Sequence, residues 1–90
     1  METSNLSPDT LDSIKKRLRR IEGQVRGLEK MIEEGRSCDE VLTQMTAVKK
    51  AVESASSLIL EEFLTICATE LSAGDAKKPE EIVSMLRRFG

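Results

Sequence analysis

Residues 38–67 read CDEVLTQMTAVKKAVESASSLILEEFLTIC, a segment with a cysteine at each end and neither glycine nor proline between. A run of this length without a breaker predicts one long helix. Cys67 lies 29 residues beyond Cys38, about eight turns at 3.6 residues per turn. Both sulfurs therefore fall on one face, roughly 43 Å apart at about 1.5 Å per residue, and one chain cannot bring them together along that helix. A second copy packed antiparallel, centred near Val52 and Glu53, would set Cys38 of one protomer beside Cys67 of the other at both ends. The spacing thus predicts a two-fold dimer with two thiol pairs. As packing alone, each cysteine is a small core hydrophobe, the commoner role of a buried free cysteine. Spacing leaves both open.

Working outward, Ser37-Cys38-Asp39-Glu40 matches a capping box at the start of this helix, with Ser37 as N-cap and Glu40 three residues on. Val41, Met45, Val48, Val52, Ala55, Ile59 and Ile66 form a seam, which Leu42, Leu58, Phe63, Leu64 and Leu71 widen until it can face two neighbours. Ser72-Ala73-Gly74 closes the helix. Upstream, Ser7-Pro8-Asp9 is a helix start, and Leu11, Ile14, Leu18, Ile21, Val25, Leu28 and Ile32 follow at steps of three and four, a coiled-coil-like seam. Gly35 ends that helix. Gly23 and Gly27 lie inside it, each costing about 1 kcal/mol against alanine. Four residues apart, they make a smooth face for close approach of another helix or a DNA backbone. Residues 1–6 carry no periodic pattern and are expected to fray. Residues 75–78 read as a polar linker to a short third helix that starts at Pro79-Glu80-Glu81, with Ile82, Val83, Leu86 and Phe89 on one face.

Ninety residues allow one small domain, spanning 1–90, and a chain this short buries a limited fraction of its surface, which favours oligomerisation. With 39% apolar and 33% charged residues, two Phe and neither Trp nor Tyr, the composition is that of an all-α bundle with an aliphatic core. No apolar run approaches the roughly 20 residues of a membrane span, so the expected location is the cytoplasm, without membrane contact. In a reducing compartment two cysteines point to sensing, catalysis or ligation before a structural disulfide. Histidine is absent, which removes the commonest transition-metal ligand and the usual general base. There is no Gly-rich phosphate loop and no Ser-His-Asp set. An enzyme is not expected, and neither is a cofactor.

The net charge of −2 is unevenly spread. Lys15, Lys16, Arg17, Arg19, Arg20, Arg26 and Lys30 stand against Glu22 and Glu29, so this window is +5 and the remainder −7. Such segregation suits a polyanion-binding patch. An ordinary solvated helix face has the same composition.

The stretch Arg17-Leu-Arg-Arg-Ile-Glu-Gly-Gln-Val-Arg-Gly27, followed by Cys38, by Gln44-Met-Thr-Ala-Val-Lys49 and by Cys67, resembles the copper-sensitive operon repressor family. The resemblance covers roughly residues 11–88. It implies an all-α protomer of two long helices and one short, paired into an antiparallel four-helix-bundle dimer and a dimer of dimers. It also implies repression by binding double-stranded operator DNA, with release when a cysteine site on the second helix is filled. Arg17, Arg20 and Lys49 or Lys50 then belong to the DNA-facing surface, to which the basic window adds Lys16 and Arg26.

Copper-sensing relatives use a cysteine matching Cys38 and, from the partner chain, a histidine and a cysteine four residues apart. Cys67 matches the second cysteine, but Phe63 stands at the histidine position and cannot ligate. Nickel and cobalt sensors depend on several histidines. Formaldehyde sensors use an N-terminal proline where this chain has Glu2. The resemblance is therefore to the persulfide-sensing branch, which keeps both cysteines and lacks the histidine; no metal site is expected, and the inducer is a small sulfur species. Cys38, at a helix start beside Arg36, gains thiolate character from both, which Asp39 and Glu40 oppose. A persulfide formed on Cys38 is resolved by Cys67 of another protomer into a di-, tri- or tetrasulfide. Cu(I) held by the same two thiolates is the alternative.

Overall fold

The computed structural model describes Met1–Phe89; Gly90, the last residue of the expected domain, lies outside the described residues. Three α-helices account for most of it: α1 (Pro8–Glu33), α2 (Cys38–Ser72) and α3 (Lys78–Phe89). No strand occurs among the described residues, so the protomer is all-α as its composition implied. None of these helices is long and apolar enough to cross a membrane. The chain divides within α2 into two compact units, Met1–Ile59 and Leu60 onward.

In the first unit, the N-terminal residues do not fray as expected. Thr3–Asn5 form a 3₁₀ turn, in which the Glu2 amide donates to Asn5 Oδ1 at 3.0 Å and the Leu6 amide to the Thr3 carbonyl at 3.0 Å. Leu6 is 4% exposed. Burying one leucine contributes about 1.5–3 kcal/mol, enough to hold a segment whose two apolar residues, Met1 and Leu6, form no periodic pattern. Ser7 then caps α1, its Oγ accepting from the Thr10 amide at 3.2 Å, with Pro8 in the first turn, where its missing N–H costs nothing.

Both long helices end by the same device. Gly35 and Gly74 take φ of +70° and +90°. The amides of Gly35 and Arg36 donate to the Ile32 and Met31 carbonyls, and those of Gly74 and Asp75 to the Leu71 and Glu70 carbonyls. This is the paired Schellman pattern, which needs a residue without Cβ strain at the left-handed position. The tight turn at Gly35 sends the chain back, and Arg17 Nη1 reaches Ser54 Oγ at 2.7 Å. Residues 8–59 are thus an antiparallel helical hairpin.

The α1 seam divides in two. Ile14, Ile21 and Leu28, seven residues apart, are buried, and with Leu6 and Ala55 they make the core of this unit. The intervening line stays open, with Leu18, Val25 and Ile32 exposed by 52%, 40% and 59%. Leu42, Met45 and Val52 of α2 are exposed too. An apolar surface of this extent marks an interface, because a monomer gains nothing from leaving it wet. Glycines 23 and 27 meet no close neighbour within the protomer: a Cβ on either has nothing within 4 Å.

The second unit holds the end of α2 and all of α3. Phe63, Cys67 and Lys78 of this unit are buried. Lys78, expected in the linker, is the first residue of α3. Its ammonium bridges Glu81 Oε2, at 2.7 Å, and Glu70, which offsets the cost of desolvating the charge.

Candidate functional site: a basic helical face and two unlike thiols

Cys38 opens α2 and is exposed, whereas Cys67 is fully buried. The groove beside Cys38 is lined by Ile32, Arg36, Val41, Leu42 and Met45, so its walls are largely apolar. Ser37 caps α2 as expected, its Oγ accepting from the Glu40 amide at 3.2 Å. The reciprocal half of the expected box is replaced. Arg36 Nε donates to Glu40 Oε2 at 2.7 Å, because a guanidinium is a stronger partner for a carboxylate than a single amide. The cation beside Cys38 is therefore engaged by an acid one turn into the helix.

At the other end of α2, burial pushes the Cys67 thiol above its ordinary range, opposed by the positive charge of Lys78 and reinforced by Glu70 and Glu81. The two glutamates raise the Lys78 pKa as well, through its side-chain hydrogen bonds to them. For both groups the folded-state pKa lies above the unfolded one. The stability linked to them is then fully present below the unfolded values and is lost as pH rises through the folded ones. The C-terminal unit is expected to hold at neutral pH and to loosen above about pH 9.

This asymmetry of exposure makes a direct prediction. Native protein treated with a maleimide should be labelled at Cys38 first, and Cys67 should lag by about a hundredfold or more, as a local opening of about 3 kcal/mol imposes. Intact-mass time courses with and without urea check it. Equal native rates at the two cysteines would contradict the buried position of Cys67.

Cys38 is the first residue of the 35-residue α2, and Cys67 comes 29 residues further along the same helix. Among the described residues no three His, Cys, Asp or Glu side chains are grouped to hold a metal ion.

The basic residues sort into kinds. Lys16 pairs with Asp12 at 3.0 Å and Arg26 with Glu22, each a helical turn away on α1 and mostly exposed, so each pair is worth little. Arg17 is held by Ser54 of α2. Arg20, Lys49 and Lys50 are exposed and extend into solvent. In the antiparallel hairpin that sets Arg17 opposite Ser54, Arg20 falls level with Lys50 one turn further along. Exposed basic residues thus stand on both helices of the hairpin. Nothing in the sequence marked Ser54, while Glu40 stood there only in a capping box and Lys78 only in a linker. Glu40, four residues after Arg36, and Lys78, three before Glu81, each stand at helical pairing distance from an opposite charge.

An all-helical protomer with basic residues on two helices, an uncovered apolar seam and an exposed thiol at a helix start fits a class of small regulatory DNA-binding proteins. Residues 10–88 match the model of the metal-sensitive transcriptional repressor family, and the chain belongs to that family. It is 50% identical over 62 residues to the copper-sensing transcriptional repressor RicR of Mycobacterium tuberculosis, a match spanning 69% of this chain and 65% of RicR. To the copper-sensing transcriptional repressor CsoR of Bacillus subtilis it is 35% identical over 80 residues, 87% of this chain and 79% of that one. Among solved structures, the nickel-responsive transcriptional regulator InrS superposes with a TM-score of 0.84 at 36% identity, covering 89% of this chain and 92% of InrS. CsoR with Cu(I) from Geobacillus thermodenitrificans NG80-2 gives 0.81 at 32% identity, covering 92% and 88%.

Proposed function

We propose that this chain is a cytoplasmic repressor that binds double-stranded operator DNA through its basic helical face and releases it when Cys38 reacts with a persulfide. The observation that carries the reading is an exposed Cys38 at the start of α2 in a chain that has Phe63 four residues before Cys67 and no histidine anywhere. Residues 1–90 act as one DNA-binding and sensing domain. Arg17 and Arg20 of α1 with Lys49 and Lys50 of α2 meet the phosphates, flanked by Lys16 and Arg26. The exposed line of Leu18, Val25, Ile32, Leu42, Met45 and Val52 is covered by a second protomer, antiparallel about Val52, and dimers pair again.

In the sensing step the Cys38 thiolate attacks the sulfane sulfur of R–S–SH. The S–S bond breaks, R–S⁻ leaves, and Cys38 carries –S–SH. The Cys67 thiolate of another protomer then attacks the inner sulfur, expels HS⁻ and closes an interprotomer disulfide. If Cys67 is itself persulfidated, the same displacement gives a trisulfide and H₂S. Because Cys67 is buried, this second step requires the end of α2 to open and is the slow one. The cross-link ties two subunits and alters the spacing of the arginines against the phosphates.

A second reading has Cu(I) as inducer, held by Cys38 of one protomer and Cys67 of the next, since soft thiolates bind Cu(I). The identity to copper-sensing RicR favours it. One experiment separates the two: intact mass under non-reducing conditions, with DNA release measured on the same samples, after a persulfide donor, Cu(I) or peroxide. Persulfide should add sulfur and cross-link chains as DNA is released. Release by Cu(I) alone, without covalent mass gain, would overturn the persulfide reading.

A further inference from the structure

We propose that Ser54 is a positioning residue for DNA binding: its hydroxyl holds the Arg17 guanidinium so that the arginine meets a phosphate already oriented. The proposal rests on the DNA-binding reading above and adds a residue on α2, in the middle of the sensor helix, that carries no charge.

Three observations carry it. The first is the bond itself, from Arg17 Nη1 to Ser54 Oγ at 2.7 Å, which joins α1 to α2 across 37 residues of chain. The second is the contrast with five of the other seven hydroxyls of α2, Ser56 and Ser57 being the exceptions. Thr43, Thr46, Thr65, Thr69 and Ser72 donate to the carbonyl four residues before them, the usual resting place of such a side chain in a helix. Ser54 instead accepts from the other helix. The third is electrostatic. Lys16 and Arg26 each stand beside a carboxylate of opposite charge, whereas Arg17 is held by a neutral oxygen with no such counter-charge.

Ser54 is well placed for this work. The next residue, Ala55, is 5% exposed, so this turn of α2 is packed down and the hydroxyl sits on a fixed backbone. A guanidinium has five N–H donors. Giving one to Ser54 leaves a fork for a phosphate, which a lysine at this position would lack. The serine hydroxyl also retains its own proton to donate, and hydroxyls are among the groups that contact phosphate oxygens. Lys50, one turn before Ser54, extends the same face of α2.

The test uses the full chain and a duplex that the parent protein selects from a random-sequence pool. Ser54→Ala should weaken binding about three- to tenfold, the size of one modest hydrogen bond, without changing the salt dependence, because no charge is removed. Arg17→Ala should weaken binding and also flatten the salt dependence. In the double variant, loss of Ser54 should add nothing to loss of Arg17, since the two act through one contact. Ser54→Thr, which keeps the hydroxyl, should restore parental affinity, and circular dichroism should show the same helix content throughout.

The outcomes are distinguishable. Failure to select any duplex, or parental affinity and salt slope in Arg17→Ala, sinks the reading of the basic face and this proposal with it. If Arg17→Ala is impaired while Ser54→Ala binds like the parent, the positioning role alone falls. It also falls if the two effects add in the double variant, or if threonine does not rescue.

Discussion

Cys38→Ala protein should stay on its DNA in the presence of a persulfide donor that frees the parent. The parent should lose affinity by about 5- to 150-fold, the usual range of coupling between an effector site and a binding site, while the variant loses none. The reason lies in the exposure of the two sulfurs. Cys38 is open to solvent at the start of α2, and Cys67 has no accessible surface, so an external donor meets Cys38 first. Cys67→Ala should behave differently. It should still gain sulfur at Cys38, seen as a mass increase without cross-linked chains, and show reduced release or none. Titrations of DNA binding before and after donor treatment, with masses from the same samples, decide it. A full persulfide response in Cys38→Ala would show that the donor reaches another group.

The second large effect is expected at Arg20. This side chain is exposed, with no acid on its own helix to satisfy it, in contrast to Lys16 and Arg26. In the antiparallel hairpin fixed by the Arg17–Ser54 bond it lies near the level of Lys50. Arg20→Ala should weaken binding to all duplexes alike, because a phosphate contact positions the protein without reading sequence. Each lost contact should lower the slope of log K against log salt by about 0.9. That change is multiplied by the number of protomers on the DNA, so an assembly of several protomers amplifies one substitution into a large loss. Lys16→Ala and Arg26→Ala should cost less, since the free protein already pairs these charges with Asp12 and Glu22. Affinities at several salt concentrations test the ranking. An Arg20→Ala protein with parental affinity and slope would reduce the basic window to a solvated helix face.

The reading of the two cysteines shows where sequence stops. Their spacing placed both on one helix, and α2 runs unbroken from Cys38 to Ser72. It said nothing of their exposure, and the structure makes them unlike: one is an open thiol at a helix end, the other a buried side chain whose thiol is pushed up by burial. Cys67 thus packs as a buried side chain, while Cys38 is open to solvent. The α1 seam followed the same course. Seven apolar residues in coiled-coil register predicted an amphipathic helix, yet only the Ile14, Ile21 and Leu28 line is buried. Period alone cannot divide a seam between a neighbour in the same chain and one in another.

The sequence by itself determined the helices, their capping serines and closing glycines, and the segregation of charge along the chain. These depend on residues within a few positions of one another: a serine oxygen reaching an amide three residues on, a glycine tolerating positive φ, a hydrophobic period. Tertiary structure alone decided which apolar line is covered, that Cys67 is buried while Cys38 is open, that Lys78 is sandwiched between Glu70 and Glu81, and that Arg17 is held by Ser54. Each of these but the short-range Glu81 bridge depends on residues brought together from distant parts of the chain. Which distant residues meet is set by the packing of whole helices, and no local pattern carries that information.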